Sequence, residues 1–262
     1  MIKSSAQNRE DVMLARAFDH KTDGFYIDVG AMDPDEMSIT RYFYDLGWRG
    51  INVEPDPRFF SRLVEARPGD VNLPIALSSQ EGRRNLYVSQ TKGLTSLYSE
   101  RIRDFGEIQP HLVNTSTLAA VCERHAKQDI DFLKVDVEGA ETEVLRGSDW
   151  QRFRPKIVLV ESTAVNSYES TWHEWDPILT QASYKLVYED GINRFYCRME
   201  SLELEGAFGL PPNVLDNYVT ADLIREQVRR NALEKEVADL RDRLARLDAG
   251  ETNPGDADIG AS

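Results

Sequence analysis

Residues 25–57, FYIDVGAMDPDEMSITRYFYDLGWRGINVEPDP, constrain the fold of this chain more than any other segment. The run Phe25–Val29 is apolar and β-prone apart from Asp28, which is typical of a parallel strand buried on both faces. Gly30 and Ala31 follow and permit a tight turn, at a point where a side chain would block the approach of a ligand. The segment therefore begins as a strand and a turn of an α/β unit.

A helix and a second strand are predicted to complete this unit. Pro34 suits a first helical turn, and the acidic residues beside it suit a helix N-terminus. The apolar residues that follow have helical spacing, namely Ile39, Tyr42, Phe43 and Leu46. We expect this helix to end at Gly47 and the strand 51–53 to end at Glu54. In doubly wound folds an acidic residue at this position holds a ribose diol.

The composition of the turn indicates which ligand the unit binds. A dinucleotide fingerprint needs G-x-G-x-x-G so that the backbone can approach a pyrophosphate. Here Gly30 is the single glycine, with Asp28 before it and further acids after it, and this negative charge would repel a diphosphate. A ligand that carries an ammonium and a sulfonium fits better, so we favour S-adenosylmethionine (SAM) over NAD(P). An ordinary βαβ unit with a structural turn is the remaining alternative.

A second group of acidic residues follows the later predicted strands. Asp136, Glu138 and Glu141 come after the apolar strand around 132–137, and Glu161 ends the next strand. Buried carboxylates are costly unless they are paired or bind a metal, so we expect a function for them. Asp136, Glu138 and Glu161 are candidates for the base that activates a hydroxyl, and Asp136 and Glu161 are within reach of one Mg²⁺. Alternatively, Asp136 only caps the next helix.

Three further segments have less specific signals. Ser78, after a predicted strand at 71–77, is either an adenine-side contact or a plain turn serine. His173 lies in the polar and aromatic loop 166–176, which suits carbohydrate, and it is either a further catalytic candidate or an exposed histidine without a role. Residues 91–105 are rich in Gly, Ser and charge and are predicted to form a mobile loop over the site.

The two ends of the main domain have recognisable patterns. A helix is predicted within residues 4–20, and we favour a solvated helix start for its polar cluster of Gln7, Asn8, Glu10 and Asp11. At the other end, residues 184–187 and 193–197 are predicted to form an antiparallel hairpin, and residue 86 begins a short predicted strand. A terminal hairpin separates methyltransferases of this architecture from dinucleotide-binding folds.

The C-terminal region has a different composition. Its apolar residues step by four and three, namely Leu233, Val237, Leu240, Leu244 and Leu247. About two heptads are regular, fewer than the three or four that define a coiled coil. This amphipathic helix either pairs two subunits as a homodimer or packs on its own domain. We predict a domain at 1–215, the helix at 216–249 and a disordered tail at 250–262.

The net charge of the chain limits its possible partners, and its cysteines and hydropathy indicate its compartment. A formal net charge of −14 argues against nucleic acid and against an anionic membrane surface, so an uncharged acceptor such as a sugar hydroxyl is the easier fit. Cys122 and Cys197 lack a metal-binding spacing and indicate a reducing compartment. No apolar run approaches about 18 residues and no signal peptide is evident. We therefore expect a cytoplasmic protein without membrane insertion.

Five segments in order resemble the FkbM-type SAM-dependent methyltransferases. They are SSAQNREDV, FYIDVGAMDP, GWRGINVEPDP, FLKVDVEGAETEVLRG and IVLVEST, and the resemblance covers roughly residues 4–215. It implies an α/β class I (Rossmann-like) methyltransferase fold, with a mostly parallel seven-stranded sheet and a terminal antiparallel hairpin. It also implies O-methylation of natural products or sugars, in polysaccharide or glycan biosynthesis. N- or carboxyl-methylation of a small molecule, or a non-catalytic SAM-binding scaffold, are the alternatives.

The resemblance also implies which residues bind the methyl donor. The implied positions are Asp28, Gly30 and Ala31 in the loop, Ser38 near the amino-acid end, Glu54 on the ribose and Asp136 beside the methyl group. One position departs from the family pattern, because members often carry Asn where this chain has Met32. A side-chain hydrogen bond from that position to the ligand is therefore not expected.

Overall fold

The computed structural model describes residues 1–19, 21–89 and 94–248, and the chain divides into one unit at Met1–Tyr218 and another that begins at Val219. The strands are β1 (Ile2–Ser4), β2 (Phe25–Val29), β3 (Arg49–Val53), β4 (Val71–Leu73), β5 (Ala76–Leu77), β6 (Gly82–Ser89), β7 (Thr95–Ser96), β8 (Ile108–Ser116), β9 (Phe132–Val135), β10 (Ile157–Glu161), β11 (Tyr184–Glu189), β12 (Asn193–Arg198) and β13 (Tyr218–Thr220). The α-helices are α1 (Glu10–Ala17), α2 (Arg41–Asp45), α3 (Pro57–Ala66), α4 (Ser99–Ile102), α5 (Leu118–His125), α6 (Glu141–Arg146), α7 (Asp176–Gln181) and α8 (Ala221–Asp248). Short 3-10 helices span Trp172–Glu174, Met199–Phe208 and Val214–Asp216.

Seven strands form the central sheet, in the order β11-β12-β10-β9-β2-β3-β4. The five strands from β10 to β4 are mutually parallel, whereas β12 is antiparallel to both β10 and β11. All five residues of β2 are buried, which explains why its sequence is a nearly continuous apolar run. The mostly parallel sheet and its terminal antiparallel hairpin are thus confirmed.

The two faces of the sheet carry separate apolar clusters. Successive side chains of a strand point to opposite faces, so Tyr26 and Phe132 pack on one face while Ile27 and Leu133 pack on the other. The rings of Tyr26 and Phe132 stack with their centroids 5.7 Å apart. Helices α1 and α2 contribute to the first cluster and α5 and α6 to the second, so the sheet is covered on both sides.

A second sheet, in the order β5-β8-β6-β7, was only partly predicted. The predicted strand 71–77 is in fact two strands that belong to different sheets, since Pro74 has no N–H to donate between β4 and β5. The predicted strand 86–88 is part of the longer β6, which pairs antiparallel with β8 over its whole length. Of the predicted loop 91–105, residues 91–93 lie outside the described residues, and the remainder contains β7 and α4.

The helix predicted after the glycine turn is wrong in its first half. Only Arg41–Asp45 is helical, and the segment before it is an irregular loop. Asp33 is buried, and its Oδ1 accepts the backbone N–H groups two and three residues further along at 3.0 Å. Arg67 donates to the carbonyl of Pro34 at 2.5 Å and to Ser38 Oγ at 3.1 Å. Local side-chain hydrogen bonds of this kind compete with a helix.

The second unit contains α8, a helix of 28 residues that covers most of the region 216–249. The tail 250–262, for which the sequence predicts disorder, lies outside the described residues. Within the part of the chain that the structure describes, no helix combines the length and the apolarity of a membrane span.

Candidate active site

A cleft opens where β2, β3, β9 and β10 end. It is lined by residues that follow these strands, by the second sheet and by two segments remote in sequence. These residues include Val29, Gly30, Ala31, Met32, Glu54, Phe59, Ala76, Leu77, Thr95, Ser96, Asp136, Glu138, Glu161, Gln7, Glu10 and Asn193. The carboxyl ends of parallel strands are the usual position of a ligand in a doubly wound sheet.

The backbone conformation and the packing of the protein require glycine at position 30, whether or not a ligand is bound. Its φ of +75° lies in the region that favours glycine, and a Cβ here would lie 1.8 Å from the carbonyl oxygen of Asp136. The N–H groups of Gly30 and Ala31 donate to the carbonyl of Val53 at 3.0 and 3.2 Å. The obstacle that a side chain would meet is therefore the backbone after β9, which corrects the reason given from the sequence.

Glu54 is buried beside this turn. Its Oε2 accepts the N–H of Met32 at 2.8 Å and its Oε1 accepts the N–H of Asp56 at 2.7 Å. Burial raises the pKa of Glu54 to about 7, although the two N–H donors oppose this shift. Met32 has a φ of +49°, a backbone region in which Asn is enriched among non-glycine residues. The hydrogen bond that this position makes is therefore a backbone bond to Glu54.

Lys134 was missed by the sequence reasoning, and it organises the floor of the cleft. Its Nζ lies 3.3 Å from Asp28 Oδ1 and 3.4 Å from Asp136 Oδ2, and it donates to the carbonyl of Gly30 at 2.5 Å. Burial by itself would lower the pKa of Lys134, but the two carboxylates raise it above its ordinary value. A lysine within the apolar run FLKV was the available signal, because a buried cation needs a partner.

Asp28, the charged residue of β2, makes its contacts inside the protein and does not form part of the cleft surface. It is buried and is not among the residues that line the cleft, and its Oδ2 accepts the hydroxyl of Thr40 at 2.9 Å. Together with Lys134 it forms a charge pair at the base of the turn. Asp28 is thus not part of the cleft lining, and the contact to the methyl donor that the resemblance implies for it stays a prediction.

Asp136 and Glu161 lie side by side at the cleft. They follow Val135 and Val160, which are direct partners across β9 and β10, and their side chains share a hydrogen bond. Burial, followed by the negative charges of Asp136 and its neighbours, raises the pKa of Glu161 well above its ordinary value. The charged form of Glu161 is therefore disfavoured, whereas the side chain of Asp136 beside it is 39% exposed.

Glu138 and Glu141, the other two acids that follow β9, have different hydrogen-bond environments. Glu138 lines the cleft, and its Oε2 is buried without a hydrogen-bond partner among the described residues. Burial, followed by the charges of Asp136 and Glu141, raises the pKa of Glu138 to about 8. Glu141 instead accepts the N–H groups of Val137 and Gly139, each at 3.1 Å, and so stabilises the turn before α6.

Glu10 joins the cleft from the start of the chain. We favoured a solvated helix start for this cluster, but Glu10 and Asp11 are 3% and 0% exposed, so that interpretation is wrong for these two residues. Glu10 Oε1 accepts a hydrogen bond from Asn193 Nδ2 at 2.9 Å, and Asn193 pairs with Glu161 across β10 and β12. Burial raises the pKa of Glu10 to about 7. No local sequence signal connects Glu10 with Asn193.

Besides Asp28, three predicted site residues do not line the cleft. Ser38 is buried and accepts a hydrogen bond from Arg67 Nη2, and Ser78 is buried and donates to Glu143 at 3.4 Å. His173 is exposed, with its ring against that of Trp172. Nor does any residue of the loop 166–176, which is described throughout, belong to the cleft lining.

The donor set at the cleft does not fit Mg²⁺. The described ranges contain no group of three or more His, Cys, Asp or Glu side chains arranged to hold a metal. In the pair predicted for Mg²⁺, burial disfavours the charged form of Glu161, and the ammonium of Lys134, 3.4 Å from Asp136, already balances that carboxylate.

SAM, in contrast, fits the lining. An apolar section with Phe59, Ile75 and Leu77 suits an adenine ring, and the carboxylate of Glu54 can accept hydroxyl groups of a ribose. The acids Asp136 and Glu138 suit the positive charge of a sulfonium.

The sheet order, the terminal hairpin and a cleft with an acid after β3 define a class I methyltransferase fold. The family model of the FkbM methyltransferase domain matches residues 28–186, which is more than half of the 262 residues. The chain belongs to this family, and membership implies SAM as the methyl donor. A comparison with curated proteins found no match.

Several solved structures are similar to this chain. One is methyltransferase FkbM from Methylobacillus flagellatus KT, with 13% identity, a TM-score of 0.46 and coverage of 75% of this chain and 48% of that chain. Precorrin-6y C5,15-methyltransferase from Geobacter metallireducens GS-15 has 11% identity, a TM-score of 0.35 and coverage of 69% and 72%. The fibrillarin/Nop5p complex has 11% identity, a TM-score of 0.35 and coverage of 67% and 72%. The chain thus spans about half the length of the first of these proteins.

Proposed function

We propose that this chain is a SAM-dependent O-methyltransferase that methylates a hydroxyl group of a sugar or glycoside, in polysaccharide or glycan biosynthesis. The observation that carries the proposal is the group of acids Asp136, Glu138 and Glu161 in the cleft, beside the cation of Lys134. SAM supplies the methyl group when it is bound. The protein supplies a position for the acceptor hydroxyl and a group that takes its proton.

The carboxylates of the cleft provide the base. A hydroxyl is a weak nucleophile until a base accepts its proton, and a base works best when its pKa lies near the working pH. Glu138 meets this condition, since its pKa is about 8 and its Oε2 has no partner among the described residues. The carboxylate of Glu138 would accept the proton that the acceptor hydroxyl loses on methylation. Asp136, held by Lys134 and Glu161, positions the acceptor.

The polar part of the cleft supports a carbohydrate acceptor. Beyond the strand ends the lining includes Gln7, Glu10, Thr95, Ser96 and Asn193, which carry amide, carboxyl and hydroxyl groups. Several such groups within one cleft suit a molecule with many hydroxyls. The acids of the cleft would repel an acceptor carboxylate, which disfavours carboxyl methylation. The free thiols Cys122 and Cys197, both buried, support a reducing compartment, which we take to be the cytoplasm.

The proposal is tested by transfer of labelled methyl groups from SAM into a panel of glycosides, amines and carboxylic acids. We expect label in glycosides, as methyl ethers by mass spectrometry. Label only in amines or acids would overturn O-methylation. Calorimetric SAM binding without transfer to any acceptor class would favour a non-catalytic scaffold instead.

Substitutions of cleft residues test which side chain accepts the proton of the acceptor hydroxyl. Glu138→Gln should lower kcat by about 10²–10⁴-fold, the usual range for a group that transfers a proton. Asp136→Asn alters the group that positions the acceptor and should also lower turnover. Neither substitution changes the residues proposed for the adenine ring and the ribose, so SAM binding should remain measurable in both. His173→Ala serves as a control, since this side chain is exposed and does not line the cleft. Near-normal turnover in Glu138→Gln would remove Glu138 from the role of base.

A further inference from the structure

The C-terminal helix α8 leaves an apolar face uncovered. From residue 225 to 248 every side chain that the structure describes on this helix is exposed. Leu233, Val237, Leu240 and Leu244 are 51%, 45%, 48% and 59% exposed. Leu247, the next position of the pattern, has a side chain outside the described set. Most helices in proteins owe their stability to the packing of such a face, so α8 needs a partner surface.

The spacing of this face matches a two-stranded coiled coil. Steps of four, three and four place Leu233 and Leu240 at position d of a heptad and Val237 and Leu244 at position a. Apolar residues at a and d form the seam between two helices, and Leu at d with a β-branched residue at a favours a parallel dimer. The seam alone is short, however, so the flanking charges decide whether a second copy fits.

The charges beside the seam are complementary to those of a second copy in parallel register. In that arrangement each g residue faces the e residue of the other helix five positions further on. The three facing pairs are Arg229 with Glu234, Glu236 with Arg241, and Arg243 with Asp248. All three combine opposite charges, and symmetry repeats each pair.

In an antiparallel arrangement fewer of these charged residues face a residue of opposite charge. When Val237 lies opposite Leu240 of the other copy, Glu236 faces Arg243 and Glu234 faces Arg241. Arg229 and Asp248 then have no charged counterpart. The segment 229–248 contains six basic and five acidic residues, so it is nearly neutral in a chain of net charge −14. Self-association through this segment is thus not opposed by the charge of the chain.

We infer that two copies of this chain associate through α8 as a parallel, in-register coiled coil, with Leu233, Val237, Leu240 and Leu244 in its seam. The exposed apolar face and the three complementary pairs are independent observations on one helix. The association requires nothing of the cleft, so its success or failure is separate from that of the proposed methyl transfer.

Analytical ultracentrifugation of the full chain tests the interface. We expect a dimer for the wild type and a monomer for Val237→Glu/Leu240→Glu, which places like charges in the seam. Val228→Glu is the matched control, because Val228 is 63% exposed on the same helix but lies outside the seam, at position f. A monomeric wild type would overturn the inference, and so would a dimer that survives the double substitution.

Charge reversal tests the orientation. Glu236→Arg should raise the dissociation constant of the dimer about tenfold, since it turns two attractive pairs into repulsive ones. Adding Arg241→Glu should restore wild-type affinity only in the parallel register. In the antiparallel register the double variant would place the introduced arginine against Arg243 and the introduced glutamate against Glu234, so affinity would fall further. Absence of rescue would therefore overturn the parallel arrangement.

Discussion

Asn193 Nδ2 donates a 2.9 Å hydrogen bond to Glu10 Oε1, and this bond joins two residues that are 183 positions apart in the chain. Both residues line the cleft, and Asn193 is also the partner of Glu161 across β10 and β12. The start of the chain, the terminal hairpin and the strand-end acids thus meet in one wall. We propose that this wall contacts the acceptor of the methyl transfer.

The contact between Glu10 and Asn193 should govern acceptor binding. Asn193→Ala leaves the buried Oε1 of Glu10 without its donor, which costs about 1–3 kcal/mol. We expect the KM for the acceptor to rise about tenfold, with SAM affinity within about twofold of wild type. Steady-state kinetics and calorimetry measure the two quantities. An unchanged KM in a folded variant would exclude this wall from acceptor binding.

Lys134 should contribute more to folding than a surface lysine does. Lys134→Met removes the cation between Asp28 and Asp136 and should lower the free energy of unfolding by about 3–5 kcal/mol. Denaturant unfolding measures the loss. Adding Asp28→Asn should recover part of it, because the buried carboxylate is then removed as well. Lys185→Met, at an exposed ion pair with Glu205, is the control and should change stability by less than about 1 kcal/mol.

Two glycines with positive φ should differ in their tolerance of alanine. In Gly30→Ala the Cβ would lie 1.8 Å from a backbone oxygen, so we expect loss of the folded protein or of SAM binding. In Gly191→Ala the Cβ meets no atom within 4 Å, so only the strain of a φ of +97° remains, about 1 kcal/mol. Thermal unfolding of both variants compares them. Equal shifts in Tm would contradict the close approach at Gly30.

Stability should decrease as the pH rises from about 4.5 to about 7. Burial raises the folded-state pKa of Glu10 and of Glu54 from 4.5 to about 7, so within this window the unfolded chain loses protons that the folded chain keeps. The stabilisation from these two groups is complete below the lower pKa and is lost through the higher one. Urea unfolding at several pH values measures the slope. Glu10→Gln should flatten it, and an unchanged slope in this variant would contradict the raised pKa.

Removal of divalent cations should leave turnover unchanged. The cation beside Asp136 is already supplied by Lys134, and burial disfavours the charged form of Glu161. Assays with EDTA, and with Mg²⁺ added back, make the comparison. Loss of turnover with EDTA followed by recovery with Mg²⁺ would show that a metal does take part.

Helix and strand predictions succeeded where a pattern was local and failed where a distant partner decided the structure. The buried strands β2, β9 and β10 were evident as apolar runs, and the terminal hairpin was evident from its turn. The helix after Gly30 was predicted too long, because Asp33 and Arg67 hold that segment as a loop. The break at Pro74 was missed because a neighbouring strand, β8, takes β5 into another sheet.

The sequence by itself determined the chain order of the strands of the central sheet, the acids that follow β3, β9 and β10, and the resemblance to a methyltransferase family. These features depend on residues that are close together in the chain. Only the tertiary structure decided that Lys134 lies between Asp28 and Asp136, that Glu161 lies beside Asp136 with a raised pKa, and that Glu10 reaches Asn193. The physical reason is that burial and the approach of distant charges set the protonation of a carboxyl group, and both arise only when the chain has folded.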